Sequence, residues 1–265
     1  MRGRLPRMKK ERIAVQLYSV RDFCNDAHEI VETLKTIRAI GYKAVELSSV
    51  GPLPPHELAR VLEGEGLTCC ATHEDVEELL TDPESVIERL EMLKCKATVY
   101  PWPKDQDFSS AEGVKRLSKA LNRSGKVFAK AGITFAYHNH NLEFHRLNGR
   151  TVFEMLLAET DPKAVAAELD TYWIQAGGGD PVEWLGRLKN RVPILHIKDY
   201  GVDAKGKAMF EEIGQGNLDW EKILPAAKRA GCRWYVVEQD SDWENGDPFQ
   251  SLKMSLTYLK RLFTD

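Results

Sequence analysis

The chain has 265 residues, of which 43% are hydrophobic and 29% charged, and its 37 basic and 40 acidic side chains give a formal net charge of −3. This length suits one (β/α)8 barrel, which typically needs about 250 residues. The negative charge and a pI near 6.2 argue against a nucleic-acid partner, because such domains usually carry a basic face and a pI above about 9.

The first twelve residues, MRGRLPRMKKER, are basic and precede a short strand-like run. We therefore predict a solvated tail over residues 1–12 and a single barrel domain over residues 13–265. A secretory signal needs roughly 7–15 apolar residues and a small-residue cleavage site, and no window approaches the ~20 apolar residues of a membrane span. The five cysteines form no CxxC pair, which favours free thiols. These features predict a cytoplasmic protein without a membrane partner.

Short apolar runs alternate with amphipathic stretches along the chain. The predicted strands cover residues 13–18, 44–47, 67–72, 97–100, 133–138, 164–170, 193–198 and 234–238. The predicted helices cover residues 27–40, 55–65, 83–94, 111–131, 151–159, 181–189, 218–230 and 248–262. Eight strands that alternate with eight helices imply parallel βαβ units. Eight such units in one chain of this size favour closure into a barrel, so the predicted fold is an α/β (β/α)8 TIM barrel.

Polar residues collect where the predicted strands end, which is where functional residues lie in such barrels. The last four strands run into the segments YHNHNLEF, ELDTYW, LHIKDY and VVEQD. Residues two apart on a strand share a face, so His138 and His140 point the same way. One inward residue from each of these four strands would meet near the barrel axis. That set is His138, Asp170, His196 and Glu238.

Mixed imidazole and carboxylate ligands suit Mn²⁺, Zn²⁺, Co²⁺ or Fe²⁺ better than Ca²⁺, and Mg²⁺ is kept as an alternative. Each side chain also has a structural explanation: a strand histidine is often a hydrogen-bonded core residue, Asp170 can cap the next helix, and Lys198 can pair with Asp199. Four such residues at successive strand ends nevertheless favour one divalent metal site.

The segments YHNHNLEF, ELDTYW, HIKD and GQGNLDW resemble the xylose isomerase-like superfamily of sugar phosphate isomerases and epimerases. That group includes ketose 3-epimerases, hydroxypyruvate isomerase, inosose dehydratase and, more remotely, endonuclease IV. The resemblance runs from VQLYSVRD through GYKAVEL to VVEQD and so covers most of the chain. It implies a TIM barrel, a small sugar or polyol substrate and one divalent metal. It also implies a homo-oligomer, since members are often dimers or tetramers.

Members of this family typically hold the metal with Glu on the fifth strand, Asp on the sixth, His or Gln on the seventh and Glu on the eighth. Asp170, His196 and Glu238 match the last three positions by their sequence context. The fifth strand departs from the pattern, because His138 stands where many members carry Glu, and His140 is the alternative ligand there. Trp173 stands where the ketose epimerases carry a histidine that contacts the substrate.

The resemblance implies proton abstraction next to a carbonyl, through an enediolate that the metal stabilises. We assign Glu238 as the base, Lys198 as the acid or enolate stabiliser, and Glu143 as a further candidate acid. The residues expected to bind substrate are His73, Trp102, His140 and Trp173.

The main functional prediction is a sugar, sugar phosphate or polyol isomerase or epimerase. Because one of the two glutamates of the epimerases is missing, the alternative is a lyase that dehydrates a keto-inositol or a 3-keto sugar. An endonuclease IV-like phosphodiesterase and a non-catalytic sugar-binding barrel are less favoured, the first because it needs a basic DNA-binding face and more metal ligands.

Overall fold

The computed structural model describes residues 8–263, and its strands form a closed barrel. In chain order the strands are β1 (Ile13–Gln16), β2 (Ala44–Leu47), β3 (Thr68–His73), β4 (Ala97–Tyr100), β5 (Thr134–His138), β6 (Arg146–Leu147), β7 (Arg150–Thr151), β8 (Ala166–Asp170), β9 (Ile194–Ile197), β10 (Asp199–Val202), β11 (Ala208–Glu211) and β12 (Trp234–Val237). The barrel order is β1-β2-β3-β4-β5-β8-β9-β12, and β12 pairs back with β1. All neighbouring barrel strands are parallel. The predicted TIM-barrel fold is therefore confirmed.

The helices follow the strands as the periodicity predicts, with two short additions. They are α1 (Ala27–Ile40), α2 (Pro55–Gly64), α3 (Val76–Thr81), α4 (Pro83–Met92), α5 (Ala111–Lys130), α6 (Val152–Glu159), α7 (Thr171–Ala176), α8 (Pro181–Arg187), α9 (Trp220–Arg229) and α10 (Pro248–Leu262). The additions are α3 and α7, each of six residues. None of the helices in the described part of the chain is long and apolar enough to cross a membrane.

Three features differ from the sequence prediction. The first strand ends at Gln16, and residues 17 and 18 begin a 3-10 helix, Leu17–Phe23. Antiparallel hairpins pair β6 with β7 and β10 with β11, and neither was predicted. Of the predicted solvated tail, residues 1–7 lie outside the described residues, whereas the Met8 side chain is buried and Lys10–Arg12 form a 3-10 turn.

The barrel strands separate two apolar regions. The outer region lies between the strands and the helices and contains the large side chains, such as Tyr137, Leu169 and Ile197. The inner region forms a floor inside the barrel and consists of mostly small side chains: Ala14, Ala44, Cys70, Ala71, Ala97, Val99, Ala136, Ile194 and Val236. Because successive residues of a strand face opposite sides, each floor residue fixes which later residues point inward.

The seating of α5 on the barrel depends on a glycine inside the helix, and this gives a stability prediction. A Cβ at Gly125 would lie 2.4 Å from the backbone oxygen of Ala164. We expect Gly125→Ala to lower the free energy of unfolding by about 1–3 kcal/mol through overpacking. Gly186 in α8 is the matched control, since no atom lies within 4 Å of its added Cβ. There, alanine should stabilise by about 0.5–1 kcal/mol. Urea unfolding of both variants checks this, and a stabilised Gly125→Ala protein would contradict the packing argument.

Candidate metal centre

A layer of polar side chains lies directly above the apolar floor. Along the chain, each polar residue comes two positions after a residue of the floor. For Glu168 the residue two positions earlier is Ala166, which packs against the floor. The polar residues are Gln16, Glu46, His138, Glu168, His196 and Glu238, all buried. The next inward positions, toward the carboxyl ends of the strands, hold His140, Asp170, Lys198 and Asp240. The strand register therefore delivers two successive polar layers into one closed space.

The four predicted metal ligands lie together in this space. One candidate ligand atom from each of His138, Asp170, His196 and Glu238 lies within 4.8 Å of the other three, and all four residues are buried. Nδ1 of His196 is 2.9 Å from Oε2 of Glu238 and 4.0 Å from Oδ2 of Asp170. Nε2 of His138 is 3.9 Å from the same Asp170 oxygen. Two clusters of metal-capable side chains occur among the described residues: the set above, and a second that contains His73, His138, Glu168 and His196. His140, the alternative fifth-strand ligand, belongs to neither.

The chemistry of this donor set fits a divalent cation. Oδ1 of Asp170 accepts the backbone N–H of Trp173 at 2.8 Å and so caps α7, whereas its buried Oδ2 has no hydrogen-bond partner within residues 8–263. Burial raises the pKa of Asp170 to about 7, even though Lys198 and His196 oppose the shift. A carboxylate held in such a place without a full set of donors is costly, and a bound cation removes that cost.

The overall charge of the interior gives the same indication. The buried carboxylates that surround the candidate ligands are Glu46, Glu168, Asp170 and Glu238. Within the described chain, the one buried ammonium is that of Lys198. The histidines supply further positive charge only when they are protonated. Burial lowers the pKa of His138 to about 4, so this ring is neutral and available as a ligand.

Lys198 bridges the candidate ligands and the outer rim. Its Nζ is 2.8 Å from Oε2 of Glu238, 2.9 Å from Oδ2 of Asp240 and 3.5 Å from Oδ2 of Asp170. Burial alone would lower the pKa of Lys198, but these three carboxylates raise it well above its usual value. The ammonium also lies 5.4 Å from the ring of Trp173. Lys198 is thus a charged proton donor in contact with the proposed base.

An aromatic wall stands beside this charge cluster. The ring of His140 is 4.4 Å from that of Trp102 and 5.5 Å from that of Trp173, measured between centroids. Nδ1 of His140 and Nε1 of Trp173 are buried, and neither has a hydrogen-bond partner in the described structure. Trp102 is 46% exposed. Three of the predicted substrate-binding residues therefore lie side by side.

The other two assigned residues lie in different surroundings. Oε1 of Glu143 accepts the Tyr137 hydroxyl at 2.6 Å, and Oε2 accepts the backbone N–H of His140 at 2.9 Å. Burial raises the pKa of Glu143 to about 7, and its contacts hold the loop of His140. His73 was expected to bind substrate, but its Nε2 lies 2.9 Å from Oε2 of Glu168. Both residues therefore contact groups of the protein itself.

Two carboxylates of the interior were not assigned from the sequence. Nε2 of His196 lies 2.6 Å from Oε2 of Glu46, and Nδ1 of His138 lies 2.9 Å from Oε2 of Glu168. Glu46 is the charged residue of the otherwise apolar strand AVEL, and Glu168 precedes Asp170 by two positions, on the same face. Glu46 carried no local signal beyond its charge, whereas the spacing of two between Glu168 and Asp170 on one strand could have indicated that both side chains point inward.

Comparisons with known proteins bear on the fold and the family. A family model described as xylose isomerase-like TIM barrel matches residues 34–262. An inosose dehydratase of Lactiplantibacillus plantarum is 29% identical over 175 residues, which is 60% of this chain and 57% of that protein. An inosose dehydratase of Geobacillus thermodenitrificans is 27% identical over 159 residues, 54% of this chain and 53% of that protein. The chain thus spans little more than half the length of these relatives.

One solved structure is similar over nearly the whole chain. It is a sugar phosphate isomerase/epimerase from Parabacteroides distasonis, with a TM-score of 0.79 and 24% sequence identity. The superposition covers 94% of this chain and 93% of that one. At this level of identity the similarity supports the fold.

The ligand assignment predicts how metal content responds to substitution. Asp170→Asn keeps the volume and the cap on α7 but removes the charge, so we expect metal affinity to fall by at least about 100-fold, a loss larger than that typical of outer-shell residues. Asp240→Asn is the matched control, because the Asp240 side chain also contacts Lys198 but Asp240 belongs to neither cluster of metal-capable residues among those described. Metal analysis after dialysis measures both proteins. Equal, stoichiometric metal in the two variants would refute the assignment.

The raised pKa of Asp170 predicts a pH dependence of metal binding. In the metal-free protein this carboxyl is protonated below about pH 7 and must lose its proton when a metal binds. Affinity should therefore fall by up to about tenfold for each pH unit below 7 through this group, with a shallower dependence above pH 7. Calorimetric titration between pH 5.5 and 8.5 in two buffers, a range of about three pH units chosen to bracket this pKa, measures the proton release. If the logarithm of the metal affinity changed with the same slope below and above pH 7, the assignment of this pH dependence to Asp170 would be wrong.

Proposed function

Because the chain belongs to the family of xylose isomerase-like TIM barrels, we propose that it is a metal-dependent enzyme, a lyase that removes water from a keto-polyol or keto sugar. The observation that carries the proposal is the contact of 2.8 Å between Lys198 Nζ and Glu238 Oε2, an acid and a base in one buried site. Curated relatives named inosose dehydratase agree with this reaction class.

The proposed metal ligands are His138, Asp170, His196 and Glu238. A divalent ion bound there would supply Lewis-acid stabilisation of the negative charge that forms on the carbonyl oxygen when the neighbouring carbon loses its proton. The ion identity is proposed only as a class: Mn²⁺, Zn²⁺, Co²⁺, Fe²⁺ or Mg²⁺.

The protein's own groups account for the protons of an elimination. Glu238 takes the proton from the carbon beside the carbonyl, and Lys198 Nζ gives a proton to the departing hydroxyl, which leaves as water. One C–H and one C–O bond break, and one carbon–carbon double bond forms. After this step Glu238 carries a proton and Lys198 lacks one. Their contact of 2.8 Å lets the proton pass directly from Glu238 back to Lys198, which restores both groups.

Asp240 and Asp170 keep Lys198 ready for this role. Both lie within 3.5 Å of its Nζ and favour the protonated form. Substrate hydroxyls would be bound by His140 Nδ1 and Trp173 Nε1, which are buried and have no partner among the described residues. The rings of Trp102 and Trp173 would cover the apolar face of the sugar, as is common in ligand pockets.

A sugar isomerase or epimerase is the second candidate. The Parabacteroides distasonis neighbour carries that description, and proton abstraction by Glu238 would be shared. Two-base epimerisation is less favoured here, because the fifth strand offers the neutral imidazole of His138 in place of a carboxylate. A nucleic-acid substrate is not proposed for a chain of net charge −3. Action in the cytoplasm and a homo-oligomeric assembly remain predictions.

The reaction class can be tested on the purified protein loaded with Mn²⁺ or Co²⁺. Keto-inositols, 3-keto sugars and ordinary ketoses are incubated in D₂O and followed by NMR and mass spectrometry. We expect a keto-polyol or 3-keto sugar to lose one water and incorporate deuterium only at the carbon beside the carbonyl. Conversion to a product of unchanged formula would instead identify an isomerase or epimerase. Metal-replete protein that leaves every substrate unchanged, without exchange, would contradict both.

Lys198 separates catalysis from metal binding. Lys198→Met removes the proton donor but no proposed ligand, so we expect metal content to be retained while kcat falls by about 10²–10⁴-fold. Glu238→Gln should lose both metal affinity and activity. Steady-state kinetics and metal analysis of the two variants are compared. Wild-type turnover by Lys198→Met would exclude Lys198 as the acid.

A further inference from the structure

The two proposed histidine ligands are each backed by a buried carboxylate. Nδ1 of His138 lies 2.9 Å from Oε2 of Glu168, and its Nε2 is on the side of Asp170. Nε2 of His196 lies 2.6 Å from Oε2 of Glu46, and its Nδ1 lies 2.9 Å from Glu238. Each ring thus divides its nitrogens between a carboxylate of the deeper layer and the candidate metal site, with opposite nitrogens used in the two rings.

His73 connects the two deeper carboxylates. Its Nε2 lies 2.9 Å from Oε2 of Glu168 and 3.6 Å from Oε1 of Glu46. Its ring is stacked on that of His196, with centroids 5.4 Å apart and planes inclined by 4°. The side chains of Glu46, Glu168 and His196 have no exposed surface, and that of His73 is 9% exposed. The group is therefore largely shielded from water, and hydrogen bonds to charged groups are strong in such a buried environment.

We propose that Glu46 and Glu168 are positioning residues that fix the proton on one nitrogen of each metal-binding histidine, and that His73 holds the two carboxylates in place. Glu168 would keep the proton of His138 on Nδ1, which leaves Nε2 free as a ligand. Glu46 would keep the proton of His196 on Nε2, which leaves Nδ1 free. Carboxylate–histidine pairs of this kind orient a ligand and raise its basicity. The proposal rests on the metal site proposed above.

The same side chains could be taken for a second metal site, since His73, His138, Glu168 and His196 also offer atoms within 4.8 Å of one another. The tautomers argue against this. A neutral imidazole has one donor and one acceptor nitrogen, so His138 and His196 would have to lose both ring protons to serve two ions. Oε1 of Glu46 and Oε1 of Glu168 have no hydrogen-bond partner in the described structure, so metal stoichiometry is the decisive quantity.

The first test measures Zn²⁺ affinity by competition with a chromophoric chelator. Glu168→Gln and Glu46→Gln keep the side-chain volume and remove the charge, and each should weaken Zn²⁺ binding about 10–100-fold while the stoichiometry stays at about one. Glu212→Gln is the matched control. Glu212 is a buried carboxylate hydrogen-bonded to Ser251 at 2.6 Å and belongs to neither cluster of metal-capable residues. It should bind Zn²⁺ like the wild type.

The second test needs no variant in the network. In the Zn²⁺-loaded wild type, ¹⁵N correlation spectra of the histidine rings should show His138 protonated on Nδ1 and His196 protonated on Nε2. The opposite tautomer of either ring overturns the proposal. So do wild-type affinity in both glutamine variants, and a second zinc equivalent that Glu168→Gln abolishes.

These outcomes differ from failure of the proposed function. If the wild type binds no Zn²⁺, Mn²⁺ or Co²⁺, the proposal of a metal-dependent enzyme is refuted, and the proposed positioning role of Glu46 and Glu168 is refuted with it. If the wild type binds one ion and the glutamine variants bind it equally well, only the positioning role fails. Absence of lyase activity in a metal-binding wild type would refute the reaction class alone.

Discussion

The burial of several carboxylates inside one closed barrel is the constraint on which the rest of the structure depends. Glu46, Glu168, Asp170 and Glu238 have at most 5% of their surface exposed. Removing a charge from water costs several kcal/mol unless partners restore its interactions. The imidazoles of His73, His138 and His196 and the ammonium of Lys198 provide most of those partners. The proposed cation would supply a further partner, at the unpartnered Oδ2 of Asp170.

The apolar residues around the polar interior stabilise the barrel against the cost of burying these charges, and they also fix the geometry of the interior. Outside the strands, large residues such as Tyr137, Leu169 and Ile197 pack under the helices. Inside, alanines and other small residues form a floor that leaves room above it. On each strand the floor residue points into the barrel, so the polar residue two positions later must point inward as well. Stability and site geometry are thus determined by the same alternation of residues.

The sequence predicted the parts of the structure that are periodic. Alternating strand and helix patterns predicted the barrel. The expectation that functional residues lie at the carboxyl ends of the strands selected His138, Asp170, His196 and Glu238. In the structure, one candidate ligand atom of each lies within 4.8 Å of the others. Glu46 was missed because a single carboxylate in AVEL has no local pattern to mark it. Its partner His196 is 150 positions away in the sequence, and only barrel closure joins them.

Other differences arose from contacts that no local rule contains. The β10–β11 hairpin is built from the mixed segments DYGV and AMFE, which show no clear strand period, and it is supported by stacking of Phe210 on Tyr172 at 4.1 Å. His73 was assigned to the substrate because of its position at a strand end. In the structure its Nε2 lies next to the carboxylates of Glu46 and Glu168, which come from other strands, and its contact with substrate stays a prediction.

The proton transfers proposed for Glu238 and Lys198 depend on this arrangement of charges. Glu238 lies 2.9 Å from His196 and 2.8 Å from the ammonium of Lys198. In the absence of metal both partners lower its pKa well below the usual value, although burial opposes them. If Glu238 is the base as proposed, so weak a base needs the negative charge that forms on the substrate to be stabilised, which is the role proposed for the neighbouring cation. The contact of 2.8 Å between Glu238 and Lys198 would let the gained proton pass to Lys198 once that residue has given up its own. In the proposed elimination Lys198 gives its proton to the departing hydroxyl and then regains one from Glu238. Inversion of a carbon centre would instead need a donor on the opposite face, so this acid–base contact supports the proposed elimination.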